Sequence, residues 1–100
     1  MHKLRISRLA RDDLLEIQRR GVTEFGGSAA RAFMLGFGAI FERLQTYPLI
    51  GSVRPEYGHA IRACLHAPYH VLYRYEADTV SILRVLHTAR RALPLGDQEK

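Results

Sequence analysis

Arg62, Tyr73, Arg74, Arg84, His87, Arg90 and Arg91 have the side-chain types that phosphate and acid–base chemistry uses. The last three close an apolar, β-type run, Ile82-Leu83-Arg84-Val85-Leu86-His87-Thr88-Ala89-Arg90-Arg91. Acid–base work at a phosphate needs a base, an acid and cations around that one group. His87, Arg62 and Arg74 are of the types such work uses. The plainer reading of His87 is a strand-end histidine that hydrogen-bonds locally and holds the chain after it, since no carboxylate stands near it in sequence. Arg90 and Arg91 are the cationic pair expected to touch a target, with His87 and with Arg54 from the loop before the sheet. Their alternative is a solvated tail. His59, His66 and His70 do not repeat a metal-binding spacing, and Cys64 is the single cysteine. No phosphate-binding glycine loop and no nucleophile triad stand in the chain, so neither a metal nor a cofactor is expected.

The frame for these side chains is small. One hundred residues, 47% hydrophobic and 25% charged, make one globular domain with a modest core. The net charge is +5, and 13 of the 15 cationic residues are arginine. That bias suits planar, bidentate contacts to carboxylates or phosphates, so an acidic protein or a nucleic acid is the expected partner. A lone cysteine fits a reducing cytoplasm. The first residues lack a secretory pattern, and no apolar run approaches the ~20 residues of a membrane span.

Residues 2–6 read as a strand with Leu4 and Ile6 on one face. Ser7 is placed to cap a helix whose acidic residues (Asp12, Asp13, Glu16) come early and whose arginines (Arg19, Arg20) come late, matching the helix dipole. Its apolar stripe is Ala10, Leu14, Ile17 and Gly21. Phe25-Gly26-Gly27-Ser28 breaks it, and a second helix carries Ala30, Phe33, Phe37, Ile40 and Leu44, widened by Met34 and Phe41. Gly36 and Gly38 inside that helix predict close backbone packing. Pro48 ends the helix, and residues 49–59 read as loop. Three strands follow at 61–66, 70–76 and 80–87, joined by Ala67-Pro68 and by a tight Ala77-Asp78 turn. Tyr69, Tyr73 and Tyr75 alternate and therefore share a sheet face, either packed under the helices or open as a stacking platform for bases. Arg74 points the other way and joins Arg62 and Arg84 only if the strand registers agree. The order predicts an α+β domain over residues 1–91, with an N-terminal strand, a helical hairpin and an antiparallel three-stranded meander in one sheet. Residues 92–100 are expected to be a flexible tail.

The chain resembles the ParE branch of the RelE/ParE toxin superfamily. The resemblance rests on Leu4-Arg5-Ile6-Ser7 with Ala10, Asp13-Leu14 and Ile17, then Phe25-Gly26 with Ala30, Leu44, Pro48, Gly51 and Arg54-Pro55. It continues through Ile61-Arg62, Tyr69, Tyr73-Arg74, the run from Ile82 to His87, and Arg90-Arg91. It implies a cytoplasmic toxin of a type II toxin–antitoxin module, held in a hetero-oligomer by a ParD-like antitoxin. It also implies DNA gyrase as the target, inhibited by binding that traps the cleaved DNA complex rather than by enzymatic action. The alternative is ribosome-dependent mRNA cleavage of the RelE type, with His87, Arg62 and Arg74 as its candidates. Those nucleases often carry an aromatic or basic residue directly after the position of His87, where this chain has Thr88. A third reading is a decayed toxin that only titrates antitoxin. Direct nucleic-acid binding stays open, although no recognition helix carries a clustered basic face.

Overall fold

Ser7 turns the chain from strand to helix with one hydroxyl. In the computed structural model, which describes residues 1–89, strand β1 (Lys3–Ile6) runs directly into helix α1 (Arg8–Phe25). Ser7 Oγ accepts from the Ala10 N–H at 3.1 Å and donates to the Leu83 carbonyl at 2.9 Å. It thus caps the helix and ties it to the sheet at once. Residues 90–100 lie outside the described residues, and with them Arg90, Arg91 and the expected tail.

Gly26 makes the helical hairpin possible. Its φ of +92° is in the region that favours glycine, and it separates α1 from α2 (Gly27–Thr46) with no longer linker. Helix α2 buries Ala30, Phe37, Ile40, Phe41 and Leu44, the stripe expected from its spacing. At Gly36 a Cβ would stand 2.4 Å from His66 Cε1, so the backbone approach expected there is real. At Gly38 nothing lies within 4 Å, because that position faces solvent; the same expectation fails there.

The sheet has five strands in the order β1-β5-β4-β3-β2. Strands β3 (Ile61–His66), β4 (Tyr69–Glu76) and β5 (Thr79–His87) form the antiparallel meander, and β1 pairs parallel to β5 from Lys3↔Thr79 to Ile6↔Ile82. The stretch expected to be loop contains β2 (Ser52–Val53) and one turn of 3-10 helix, Pro55–Tyr57. Two residues are too few for alternation to show, so β2 left no pattern to read.

Register shifts between Leu72 and Tyr73, which face Arg84 and Ile82, so Leu83 is an extra residue on β5. The bulge sends Val80, Ile82 and Val85 to the helix side with Val71 and Tyr73, while Leu83 and Leu86 join Ile61, Ala63 and Leu72 on the other side. Tyr57 of the 3-10 turn packs on that second cluster. Both faces of the central strands are therefore apolar. Phe37 is 1% exposed, and truncating so buried a phenylalanine to alanine costs about 3–5 kcal/mol.

Candidate functional site

The three strand arginines proposed for phosphate chemistry diverge. Arg62 pairs with Tyr73 across the ladder and Arg74 with Ile61, so Arg62 and Arg74 point to opposite faces. Arg62 Nη1 donates to the carbonyls of Leu49 (3.0 Å) and Gly51 (2.8 Å). Arg74 Nε donates to the His59 carbonyl at 3.1 Å. Arg84 lies at the bulge, where β1 has already ended at Ile6. Its Nε and Nη2 meet the two oxygens of Asp13 at 2.8 and 3.0 Å, and the Val85 N–H reaches Asp13 Oδ2 at 2.9 Å. The fork geometry and the short hydrogen bonds to Asp13 hold the Arg84 guanidinium above its ordinary pKa.

Tyr73 is structural. The ring is fully buried; its hydroxyl donates to the Pro48 carbonyl at 2.8 Å and accepts from the Gly51 N–H at 2.9 Å. Burial raises its pKa. Tyr75 leans on the ring of His2, with centroids 5.1 Å apart, and Tyr69 faces Phe33 and Phe37. The alternating tyrosines thus share the helix-side face, the packing reading of the two considered.

His87 ends β5 on the helix side. Its ring stands edge-on to Tyr69, centroids 5.5 Å apart, and its Nδ1 accepts from the Ala89 N–H at 3.1 Å. That is the local hydrogen bond of the plainer reading. The expectation that no carboxylate stands near it is corrected: Asp13 and Glu16 line the same recess of about 70 Å³, with Ile17, Arg20 and Tyr69. Sequence distance hid this, since α1 lies over the strand end. Asp13 is committed to Arg84, however, and Glu16 pairs with Arg19. On its other side His87 borders an apolar groove of about 470 Å³, walled by Gly21, Phe25, Ala30, Phe33 and Met34 of the helices and by Pro68 and Tyr69.

Arg54 lies on the opposite side of the sheet. Its Nη2 is 3.5 Å from His70 Nε2 and its Nη1 is 3.4 Å from Glu56. Burial, and then the neighbouring Arg54 charge, lower the pKa of His70. His70 faces Leu86 across the ladder, one residue before His87, so the Arg54 guanidinium reaches toward the His87 end on the other face, while the Arg54 backbone pairs with Ile61 at the opposite end.

Arg62 and His87 are far apart. They pair with Tyr73 and Tyr69, four residues or about 13 Å along β4, and sit on the strands flanking it, about 9–10 Å from each other across the sheet. Among the described residues the structure brings together neither His87 with Arg62 nor His87 with Arg74. Sequence reasoning missed Asp13 and Arg20 beside His87, and the only signal for them was the helix facing β5. Among the described residues no three His, Cys, Asp or Glu side chains group as a metal site, and no helix is long and apolar enough to cross a membrane.

The family model for the ParE toxin of the type II toxin–antitoxin system parDE matches residues 4–92. The chain belongs to the ParE toxin family. A chain in the solved structure of the chromosomal ParDE system from P. aeruginosa is 25% identical, with a TM-score of 0.75 over 87% of this ParE chain and 96% of that one. A chain of the toxin–antitoxin complex RelBE2 from Mycobacterium tuberculosis is also 25% identical, with a TM-score of 0.63 over 86% of this chain and 96% of that one. No curated protein matches. This ParE chain is therefore a member of the RelE/ParE superfamily in fold as well as in sequence.

Proposed function

We propose that this ParE-family chain is the toxin half of a cytoplasmic type II module, neutralised by a ParD-like antitoxin, and that it poisons DNA gyrase by binding. Target contact comes from the His87 end of the sheet, with the Arg54 guanidinium reaching toward that end on the opposite face and Arg90 and Arg91 following in sequence. The observation that carries a binding mechanism is the dispersal of the acid–base set. His87 lies two strands and four residues away from Arg62, and Arg74 is on the other face. A phosphate held by one of these groups is out of reach of the others, whereas a protein surface is large enough to meet groups spread over one end of a sheet. The antitoxin half of the reading is supported by the family match and by the two structural relatives, both toxin–antitoxin systems by their titles.

The test is purified protein incubated with gyrase, ATP and supercoiled plasmid, scored for linear DNA after denaturation. Dose-dependent linear product, suppressed by antitoxin, is expected. Intact plasmid together with mRNA cut on ribosomes would replace this reading with the RelE type.

A further inference from the structure

The helices cover one face of the sheet, packing on Val71, Tyr73, Val80, Ile82 and Val85. The cluster on the other face, Ile61, Ala63, Leu72, Leu83 and Leu86, contains no helix residue. Among the described residues, the one partly buried apolar side chain packed against it is Tyr57. Yet Ile61 and Leu72 are 0% exposed, Leu83 3% and Leu86 7%. A sheet face that meets water carries polar residues at such positions. One tyrosine is a small cover for leucines spread over two strands.

Charge follows the leucines on the same face. Leu4 and Ile6 pack on the helix side, so Arg5 between them points the other way. Arg74, between Tyr73 and Tyr75, does the same. Both arginines stand opposite Ser81 of β5, one from each neighbouring strand. Arg5, Ser81 and Arg74 therefore form a row across the sheet, five positions from Leu86 or about 15 Å along β5.

The chain's own continuation has the matching order. It leaves β5 at His87, beside Leu86, and turns at Thr88 and Ala89. In the sequence that follows, Leu93, Leu95, Asp97 and Glu99 stand at alternate positions, so in extended backbone they share one side. Pro94 holds an extended φ and falls on the other side, where its missing N–H is no loss. Leu93 to Asp97 spans about 13 Å when extended, close to the distance from the leucines to the arginine row.

We infer that residues 92–99 fold back across the face of the sheet that the helices leave, and are its cover. Leu93 and Leu95 lie over Leu86, Leu83 and Leu72, and Asp97 and Glu99 meet the row of Arg5 and Arg74. The reversal at residues 88–91 then holds Arg90 and Arg91 at the His87 end. Tethering selects this occupant: Leu93 is four residues from Ala89, so the segment is present at high effective concentration. A second copy of a chain with net charge +5 would instead bring like charge to the arginine row.

The test is NMR on the full chain, with thermal melting of variants. Methyl contacts of Leu93 and Leu95 with Leu72 and Leu86 are expected at every protein concentration, with amides 93–97 as rigid on the ps–ns scale as those of β4. Leu95→Asp should lower Tm by about 5–10 °C, and Leu95→Ala by less. Asp97→Lys should lower Tm by about 2 °C in the parent and raise it in an Arg74→Glu background. If Leu95→Asp does not fold, the parent's NMR contacts decide. Fast motion throughout residues 92–99, with Leu95→Asp or Leu95→Ala melting as the parent does, would overturn the inference and leave a solvated tail. Contacts that grow with protein concentration would overturn it in favour of a neighbouring copy's segment. A moving segment, with Leu72 and Leu86 methyl shifts that change only on adding antitoxin, would overturn it and give the face to that partner.

Discussion

Tyr73 and Tyr69 stand four residues apart on the same face of β4 and are used in opposite ways. Tyr73 is sealed under a turn: its hydroxyl joins Pro48 to Gly51, and Arg62 closes the same turn through two carbonyls. Tyr69 is half-buried, with its ring edges toward Phe33, Phe37 and His87 and with grooves on both sides. One end of the sheet satisfies its polar groups internally; the other leaves a histidine and a groove for something else to meet. Residue type alone does not separate the two ends, since each offers tyrosine and arginine. What separates them is whether a nearby backbone consumes the donors.

The contrast is broken most severely at Gly51. A Cβ there would lie 2.6 Å from the Tyr73 hydroxyl and 2.9 Å from the Ala63 carbonyl. Gly51→Ala is expected to cost about 2–3 kcal/mol, an apparent Tm loss of roughly 10–20 °C by thermal melting. Asp13→Ala comes next. It strands the Arg84 guanidinium and the Val85 N–H, and because both partners keep some solvent contact the expected loss is about 2 kcal/mol by urea titration. Tyr73→Phe leaves the ring in place and orphans the Gly51 N–H, for about 1–1.5 kcal/mol in the same titration.

At the other end the ranking inverts. His87→Ala should shift stability by less than about 0.5 kcal/mol, as a half-exposed residue with one local hydrogen bond does. If that end meets the target, the same variant loses at least about tenfold in gyrase poisoning while Tyr73→Phe keeps full potency per folded molecule. Equal losses for both would erase the distinction. The smallest effect is a pH slope. His70 has a lowered pKa in the folded protein, so in acid the unfolded chain takes the proton first. Its contribution is complete above the usual imidazole value near ~6.5 and fades as pH falls through the lowered one. Urea midpoints at pH 7 and pH 5 should differ less in His70→Gln than in the parent.

The helical hairpin was legible because Ala30, Phe37, Ile40 and Leu44 repeat at helical spacing and Gly26 punctuates it. The meander was legible from alternation in β3 and β4. Long-range pairings were not. Nothing in Leu4 or Ile6 announces a parallel partner at the far end of the chain, and the bulge at Leu83 breaks the alternation that would assign faces on β5. The arginines suffered most. Arg62, Arg74 and Arg84 are equivalent as letters, and only register shows that they end on carbonyls of two different loops and on Asp13. The exposed end of β3 was hidden for the opposite reason, since Leu65 continues an apolar strand and only the shortness of β2 leaves it uncovered.

The parallel pairing of β1 with β5 also sets an order of events during synthesis. Ser7 and its sheet partner Leu83 are separated by 76 positions. A ribosome adding about 5–20 residues per second therefore leaves β1 without its neighbour for roughly 4–15 s. The hairpin of α1 and α2 draws on local contacts and can form in that interval, whereas β1 waits for the last strand to emerge. Any chain released before β5 is made lacks the strand that joins its two ends and the histidine that closes that strand.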